Sequence, residues 1–341
     1  MCIAGKLGLG TGLLALALAG CGGGEEGGGD AGTPSPRVAP GTNAAASSKP
    51  GSPGSQPRLS GTVEVDGSST VFRISKVAQE AFIAIQPDVR VVVGNHGTGG
   101  GFGRYLQGEV DIVDASRAAK PDEESKAKAQ GLDWTRFLVG YDGITLVVNP
   151  KNTFVKSLTV AQLKAIWEPN SKVKTWKDVD PSWPSSTIVL YSPDKDSGTF
   201  EFFAEAIVGK ARSQREDIQA SSDDNILVNG VAGDPGGLGY FGYAYFAANS
   251  DQLRAIPVQS GPEAQPVMPN HQTILDKSYK PLSRPLYIFV KNSAMKRPEV
   301  AAFLNYYLEN VASLAEQGGY VAPTADDLAA NQKTLAGTGA K

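Results

Sequence analysis

Asp66-Gly67-Ser68-Ser69-Thr70 joins two stretches whose side chains repeat with different periods. Before it, Thr62 to Val65 is a short β-rich run. After it, Val71, Ile74, Ala78, Ala81, Phe82 and Ile85 recur at helical spacing and share one face, a core stripe. A strand feeding a helix through a small turn is the repeating unit of an α/β chain. Such a turn also carries chemistry. The first amides of a helix have no intrahelical acceptor, and the dipole is positive there. Serine and threonine add hydroxyl donors, and glycine lets a ligand approach the backbone.

The same junction occurs twice more. Gly97-Thr98-Gly99-Gly100-Gly101 follows the run Val89 to Val93 and precedes Phe102 to Leu106. Asp196-Ser197-Gly198-Thr199 follows Ile188 to Tyr191 and opens a stripe of Phe200, Phe203, Ala204, Ile207 and Val208. Singly, each turn is an ordinary helix cap. Three of them, in two halves of the chain, describe a site for a tetrahedral oxyanion. Asp114-Ala115-Ser116-Arg117, after Val110 to Val113, adds a hydroxyl and a guanidinium whose planar fork matches phosphate or carboxylate. Nucleotide motifs fit poorly. No glycine in these loops leads into the G-K-[ST] of a P-loop, and G-x-G-x-x-G fails at every register around Gly97 to Gly103.

Further strands are expected at Ile144 to Val148 and Leu286 to Val290, and a packing helix around Val300 to Leu314. Trp134, Trp167, Trp176 and Trp183 lie in charged or proline-flanked segments and are expected to serve as rim or packing residues.

The 341 residues suit about two domains. Thirty-two basic against 35 acidic residues give a formal charge of −3, so no global field attracts a polyanion and nucleic acid is not an expected partner. Two cysteines, Cys2 and Cys21, exclude a disulfide framework and a cysteine-based zinc site. With only His96 and His271 as histidines, neither a metal nor a cofactor is expected. A phosphatase using a serine with His96 would lack clustered metal ligands and an oriented acid, so the chain is not expected to be an enzyme. His96 is expected to line or flank the cleft.

Lys6 precedes an apolar run, Leu7 to Gly20, which is shorter than the roughly twenty residues of a membrane span. Residues 1–20 read as a signal peptide. Leu18-Ala19-Gly20-Cys21 resembles the lipobox of bacterial lipoproteins, which makes Cys21 the expected lipidation site and membrane anchor. Residues 21–57, rich in Gly, Ser, Pro, Ala and Thr, cannot bury enough apolar surface to order themselves and read as a flexible tether. Folding is expected to begin near Leu59.

Taken together, the segments resemble the phosphate-binding proteins of phosphate-specific ABC transporters. The matching stretches are Asp66-Gly67-Ser68-Ser69-Thr70-Val71-Phe72, Gly97-Thr98-Gly99-Gly100-Gly101-Phe102, Asp111-Ile112-Val113-Asp114-Ala115-Ser116-Arg117, Asp196-Ser197-Gly198-Thr199-Phe200 and Gly237-Leu238-Gly239-Tyr240-Phe241-Gly242-Tyr243. The resemblance implies an α/β, two-domain periplasmic-binding-protein fold of type II, with the ligand cleft between domains joined by two crossing segments. Those crossings match Ile144 to Asn149 and Arg284 to Val290. Residues 58–147 with 284–341 then form domain I, and residues 148–283 form domain II.

The resemblance also implies ligand contacts from Ser69, Thr70 and Val71 in the first turn and from Thr98 in the second. Ser197, Gly198 and Thr199 close from the other domain. Some relatives place an arginine four residues before the Ser-Gly-Thr turn, where this chain has Pro193, so Ser116 and Arg117 are expected to complete the site and Arg117 to supply its cation. Its loss by Arg117→Ala is expected to cost about 2 to 5 kcal/mol in binding. Other relatives have an aspartate at the Arg117 position that accepts the proton of hydrogen phosphate; here Asp114 is the nearest candidate, with Asp66 or Asp196 behind it. The implied protein is an extracytoplasmic or periplasmic, lipid-anchored monomer that hands inorganic phosphate to an ABC permease. Sulfate, molybdate or tungstate on the same fold is the alternative.

Overall fold

The computed structural model describes residues 58–339. The expected signal peptide at 1–20, the tether at 21–57 and Cys21 lie outside the described residues.

The N-terminal part alternates strand and helix, in the order β1 Gly61–Gly67, α1 Ser69–Ile85, β2 Val89–Val93, α2 Gly97–Leu106, β3 Ile112–Ala115 and α3 Pro121–Ala129. A 15-residue strand, β4 Trp134–Val148, leads out of it. The middle contains β5 Leu158–Thr159, α4 Val160–Trp167, α5 Trp176–Val179, β6 Val189–Pro193, α6 Gly198–Phe203, β7 Gln219–Ser221, α7 Asp224–Gly233 and β8 Gly237–Gly242. After α8 Tyr243–Ala248, β9 Arg254–Ala255, β10 Val258–Gln259 and α9 His271–Leu275 comes β11 Ser283–Lys291. The chain then closes with α10 Pro298–Glu309, α11 Val311–Gln317 and α12 Ala325–Thr338.

One continuous sheet has the order β2-β1-β3-β11-β4-β8-β6-β7, with β9 also paired to β4. β1 is parallel to both its neighbours, so α1 and α2 leave from the same end of the sheet. β4 is the link between the two halves. Its Trp134–Gly143 stretch pairs antiparallel with β11, and its last five residues, from Ile144, pair with β8. The strand expected at Ile144 to Val148 is thus the end of a much longer one. Alternation along that end serves two cores, since Leu146 and Val148 pack with Trp167, Trp176, Phe203 and Tyr240, whereas Val147 packs with Leu227 and Phe241 on the other face. The first half is built likewise, with Val63, Ile74, Phe82 and Phe303 on one side and Phe102, Tyr105, Val113 and Phe289 on the other.

Three local expectations change. Ile85 ends the α1 stripe at 49% exposure, because its turn is the last of the helix, beyond the buried Phe82. The helix expected over Val300 to Leu314 is interrupted at Asn310, which caps α10 and starts α11. The stripe from Phe200 widens into a π turn over Ala204–Val208 and stops at Gly209, whose φ of 88° suits glycine. Trp167 and Trp176 are fully buried packing residues.

Candidate functional site

β1 and β2 deliver the first two turns side by side. Gly67 ends β1 with a φ of +146°, and a Cβ there would lie 2.0 Å from the Asp114 carbonyl oxygen, so glycine is what permits β1 and β3 to approach this closely. The third turn arrives from β6 in the other half of the sheet. All three open onto one cavity of 480 Å³, lined by Ser68, Ser69 and Thr70, by Gly97, Thr98 and Gly99, and by Gly198.

Capping leaves specific donors free. Ser68 donates its amide to the Asp114 carbonyl at 2.8 Å, and its hydroxyl accepts the Thr70 amide at 3.2 Å. The first-turn amides of Ser69 and Val71 have no intrahelical acceptor. The Val71 side chain is fully buried, so only its backbone can serve a ligand. Thr98 Oγ1 accepts the Ser116 amide at 3.2 Å and lies 3.3 Å from Ser116 Oγ, which locks the second turn to the end of β3. Ser197 caps α6 by accepting the Thr199 amide at 3.2 Å.

Of the ten residues expected at the site, Ser69, Thr70, Thr98, Ser116, Arg117 and Gly198 line the cavity; Val71, Asp114, Ser197 and Thr199 stand behind the lining. Arg117 reaches the wall, but its fork is bidentate to Glu123 at 2.8 and 2.9 Å. Burial opposes ionisation of Glu123, yet Arg117 and the Lys120 amide outweigh it and hold the carboxyl below its usual range. Asp114 is fully buried and accepts a 2.8 Å bond from Ser75 Oγ, which in turn lies 3.2 Å from the Tyr307 hydroxyl. Burial pushes its pKa up to about 8, with the charge of Asp66 adding and the Ser75 bond opposing. Asp66 is equally buried and points at the second turn, accepting from the His96 amide at 3.0 Å, from His96 Nδ1 at 2.6 Å and from Arg104. Burial again disfavours the charge, but those donors prevail and lower its pKa. His96 lines the cavity, and Asp196 is exposed outside it.

Five charged or aromatic lining residues escape a motif reading: Lys120, Glu201, Phe202, Glu205 and Arg284. Arg284 is the most constrained. It is the register partner of Asp142 across β11 and β4. Its guanidinium bonds Asp142 Oδ2 at 3.1 and 3.2 Å, donates to Thr70 Oγ1 at 2.7 Å and stacks 3.7 Å above the Phe202 ring. Full burial pushes Asp142 up against the pull of Arg284 and Arg73. The sequence signal was an isolated arginine in an apolar strand, which only the strand pairing connects to the first turn.

Hydroxyls, free amides and a largely desolvated arginine around one small cavity can hold a tetrahedral anion without chemical change. Residues 51–311 match the model of the PBP superfamily domain. Protein SphX of Synechococcus elongatus is 41% identical over 261 residues, 76% of this chain and 77% of that one. The phosphate-binding protein PstS of Staphylococcus saprophyticus is 39% identical, covering 81% of this chain and 84% of its own. A solved structure of a possible phosphate-binding protein from Planctomyces limnophilus, 45% identical, superposes with a TM-score of 0.80 over 82% of this chain and 99% of that one. With three strand-to-helix turns on one cavity and these relatives across three quarters of its length, the chain belongs to the PBP superfamily, in the family of the phosphate-binding protein PstS and of protein SphX.

Proposed function

We propose that this protein binds inorganic phosphate outside the cytoplasm and delivers it, chemically unchanged, to an ABC importer. The observation that carries the reading is the convergence of three helix-opening turns and Arg284 on one cavity. Ser69, Thr70, the Val71 amide, Thr98 and Ser116 bind from one side, and Gly198 with the α6 amides binds from the other. Ser197 and Thr199 hold that third turn in shape. Arg284 supplies the desolvated cation, and Arg117, its charge balanced by Glu123, lines the wall. An affinity of about 1 µM requires roughly −8 kcal/mol, and charge-assisted hydrogen bonds at about 1.5 to 3 kcal/mol each reach it with a handful of contacts.

Residues 58–147 with 284–341 act as one lobe and residues 148–283 as the other, closing on the ligand by a hinge in the two crossings. The reading extends to the chain's surroundings: a lipid on Cys21 anchors the protein, and permease subunits receive the anion from the opened cleft.

Calorimetric titration of ligand-stripped protein tests the reading. Saturable 1:1 binding of phosphate, with sulfate and molybdate at least about 100-fold weaker, is the expected result. Absence of phosphate heat, or sulfate bound as strongly, would leave the turns as caps or assign them to another oxyanion.

A further inference from the structure

His96 is the only histidine on the cavity; His271, the other one in the chain, opens α9 and is not among the lining residues. His96 stands at the N-cap position of α2, next to Gly97 and Thr98, yet its side chain makes no cap bond. A Cβ on Gly100 would lie 2.9 Å from His96 Cβ, so glycine there leaves room for this side chain. The ring is held from beneath by the fully buried Asp66, 2.6 Å from Nδ1. Asp66 is kept ionised by His96 and Arg104, so Nδ1 is the donor of that bond. Nε2 is then the free atom of the ring and has no partner among the described residues. It is a lone pair in the neutral ring and a donor in the cation. The side chain is 64% exposed, so a proton can reach it from solvent.

Charges from several elements bear on that proton. Asp66 on β1 favours the cation, as do Glu201 and Glu205, which line the cavity from the opposite half; Glu201 Oε1 would lie 3.9 Å from a carbon placed on Gly97. The positive end of α2 opposes it, as do Arg104, Arg117, Lys120 and Arg284. Partners offset much of this opposition: Glu109 and Asp66 on Arg104, Glu123 on Arg117 and Asp142 on Arg284. Arg212 in turn offsets Glu201. A dianion entering the cavity shifts the balance toward the imidazolium, because an opposite charge nearby favours the charged form. Imidazole is also the side chain that changes charge between about pH 5 and 8.

We propose that His96 is a further ligand-binding residue of the phosphate site, taking a proton from solvent on Nε2 as phosphate binds and donating it in a hydrogen bond to a phosphoryl oxygen. This rests on the phosphate reading above. One proton passes from the buffer to the ring, and none leaves the ligand. Since the complex then holds a proton that the free protein lacks, the affinity His96 confers rises as pH falls, by at most about tenfold per pH unit. Asp114, its pKa raised to about 8, and the second ionisation of phosphate fall in the same pH range. Both are common to wild type and variants, so the comparison between proteins isolates the ring.

The test uses the full chain, stripped of ligand, as wild type, His96→Asn and His96→Gln, titrated calorimetrically with sodium phosphate at about pH 6 and about pH 8.5. His96→Asn keeps an N–H for Asp66 and removes Nε2; His96→Gln cannot charge either, and stands in if the first variant fails to fold. The variant-to-wild-type ratio of phosphate Kd should be at least about threefold larger at the lower pH. Near neutral pH, in paired buffers of low and high ionisation enthalpy, the wild type should take up more protons per phosphate bound than either variant. A ratio that is the same at both pH values, with equal proton uptake, overturns the role of His96 while leaving phosphate binding intact, even if the variants bind more weakly throughout. A wild type that binds no phosphate at either pH overturns both readings.

Discussion

Arg284 Nη2 donates a 2.7 Å hydrogen bond to Thr70 Oγ1, joining residues 214 positions apart in the chain. The bond ties the crossing strand β11 to the first helix-opening turn, and Asp142 and Phe202 fix the other faces of the same guanidinium. Its side chain is 13% exposed, so its charge acts in a largely desolvated setting.

Removing that cation should be costly. Arg284→Ala is expected to weaken phosphate binding by about 2 to 5 kcal/mol, and it also leaves Asp142 buried beside the site without its partner. Pairing it with Asp142→Asn separates the two effects, because the double variant relieves the unpaired carboxylate but not the missing donor. Calorimetry giving wild-type affinity for Arg284→Ala would remove it from the site. Arg117→Ala tests the companion expectation, and its loss should shrink when Glu123→Ala is added, since no largely buried carboxylate is then left without its partner.

Gly198 sets how closely the third turn meets the first. A Cβ at this position would stand 2.6 Å from Thr70 Oγ1, 2.8 Å from the Thr70 amide nitrogen and 3.0 Å from Ser69 Oγ. Backbone is among those obstacles, so side-chain rotation cannot clear them. Gly198→Ala is expected to reduce phosphate affinity at least about tenfold while shifting the melting temperature little, because the clash lies across the cavity and outside both cores. A substantial fall in melting temperature with affinity intact would show that the contact supports the fold and not closure.

The turns were legible because their chemistry is local: strand, glycine, hydroxyl residues and helical stripe follow one another within a dozen residues. The α/β class and the face assignments of Val71, Ile74, Phe82, Phe200 and Phe203 follow from the same short-range periodicity. Arg284 and Glu201 were not legible. Arg284 acts through a register pairing with Asp142 across two strands, and Glu201 through a span from α6 to Ser69, and neither distance has a counterpart in sequence spacing. Asp114 illustrates the opposite failure. Ser116, just past the end of β3, reaches the cavity, whereas Asp114 lies within the strand and its side chain turns to Ser75 and the core.

Asp66 anchors the second turn from beneath. With its carboxylate fully buried and bonded to the His96 amide, His96 Nδ1 and Arg104, replacement by Asn removes the charge those donors compensate. Asp66→Asn is expected to cost roughly 3 kcal/mol of stability, the lower end for breaking a buried pair, because Arg104 is partly exposed and can rehydrate. Urea unfolding measures it, and a loss below about 0.5 kcal/mol, the range of ordinary surface changes, would contradict the anchoring role.

Asp114 gives a pH signature of opposite sign to that of a paired carboxylate. Its folded pKa is raised to about 8, while in the unfolded chain it returns to the ordinary range near 3.9. Between those values the folded state holds a proton that the unfolded state has released, so stability falls as pH rises, by at most about 1.4 kcal/mol per pH unit. The contribution is flat below about pH 4 and again above about pH 8. Asp114→Asn keeps an acceptor for Ser75 and cannot ionise, so it should flatten the fall in stability across that window and be more stable than wild type on its alkaline side. Urea midpoints at several pH values, measured without ligand, read this directly. Parallel pH profiles for the two proteins would mean that Asp114 stays ionised in the core, with its Oδ2 charge met by some group other than Ser75.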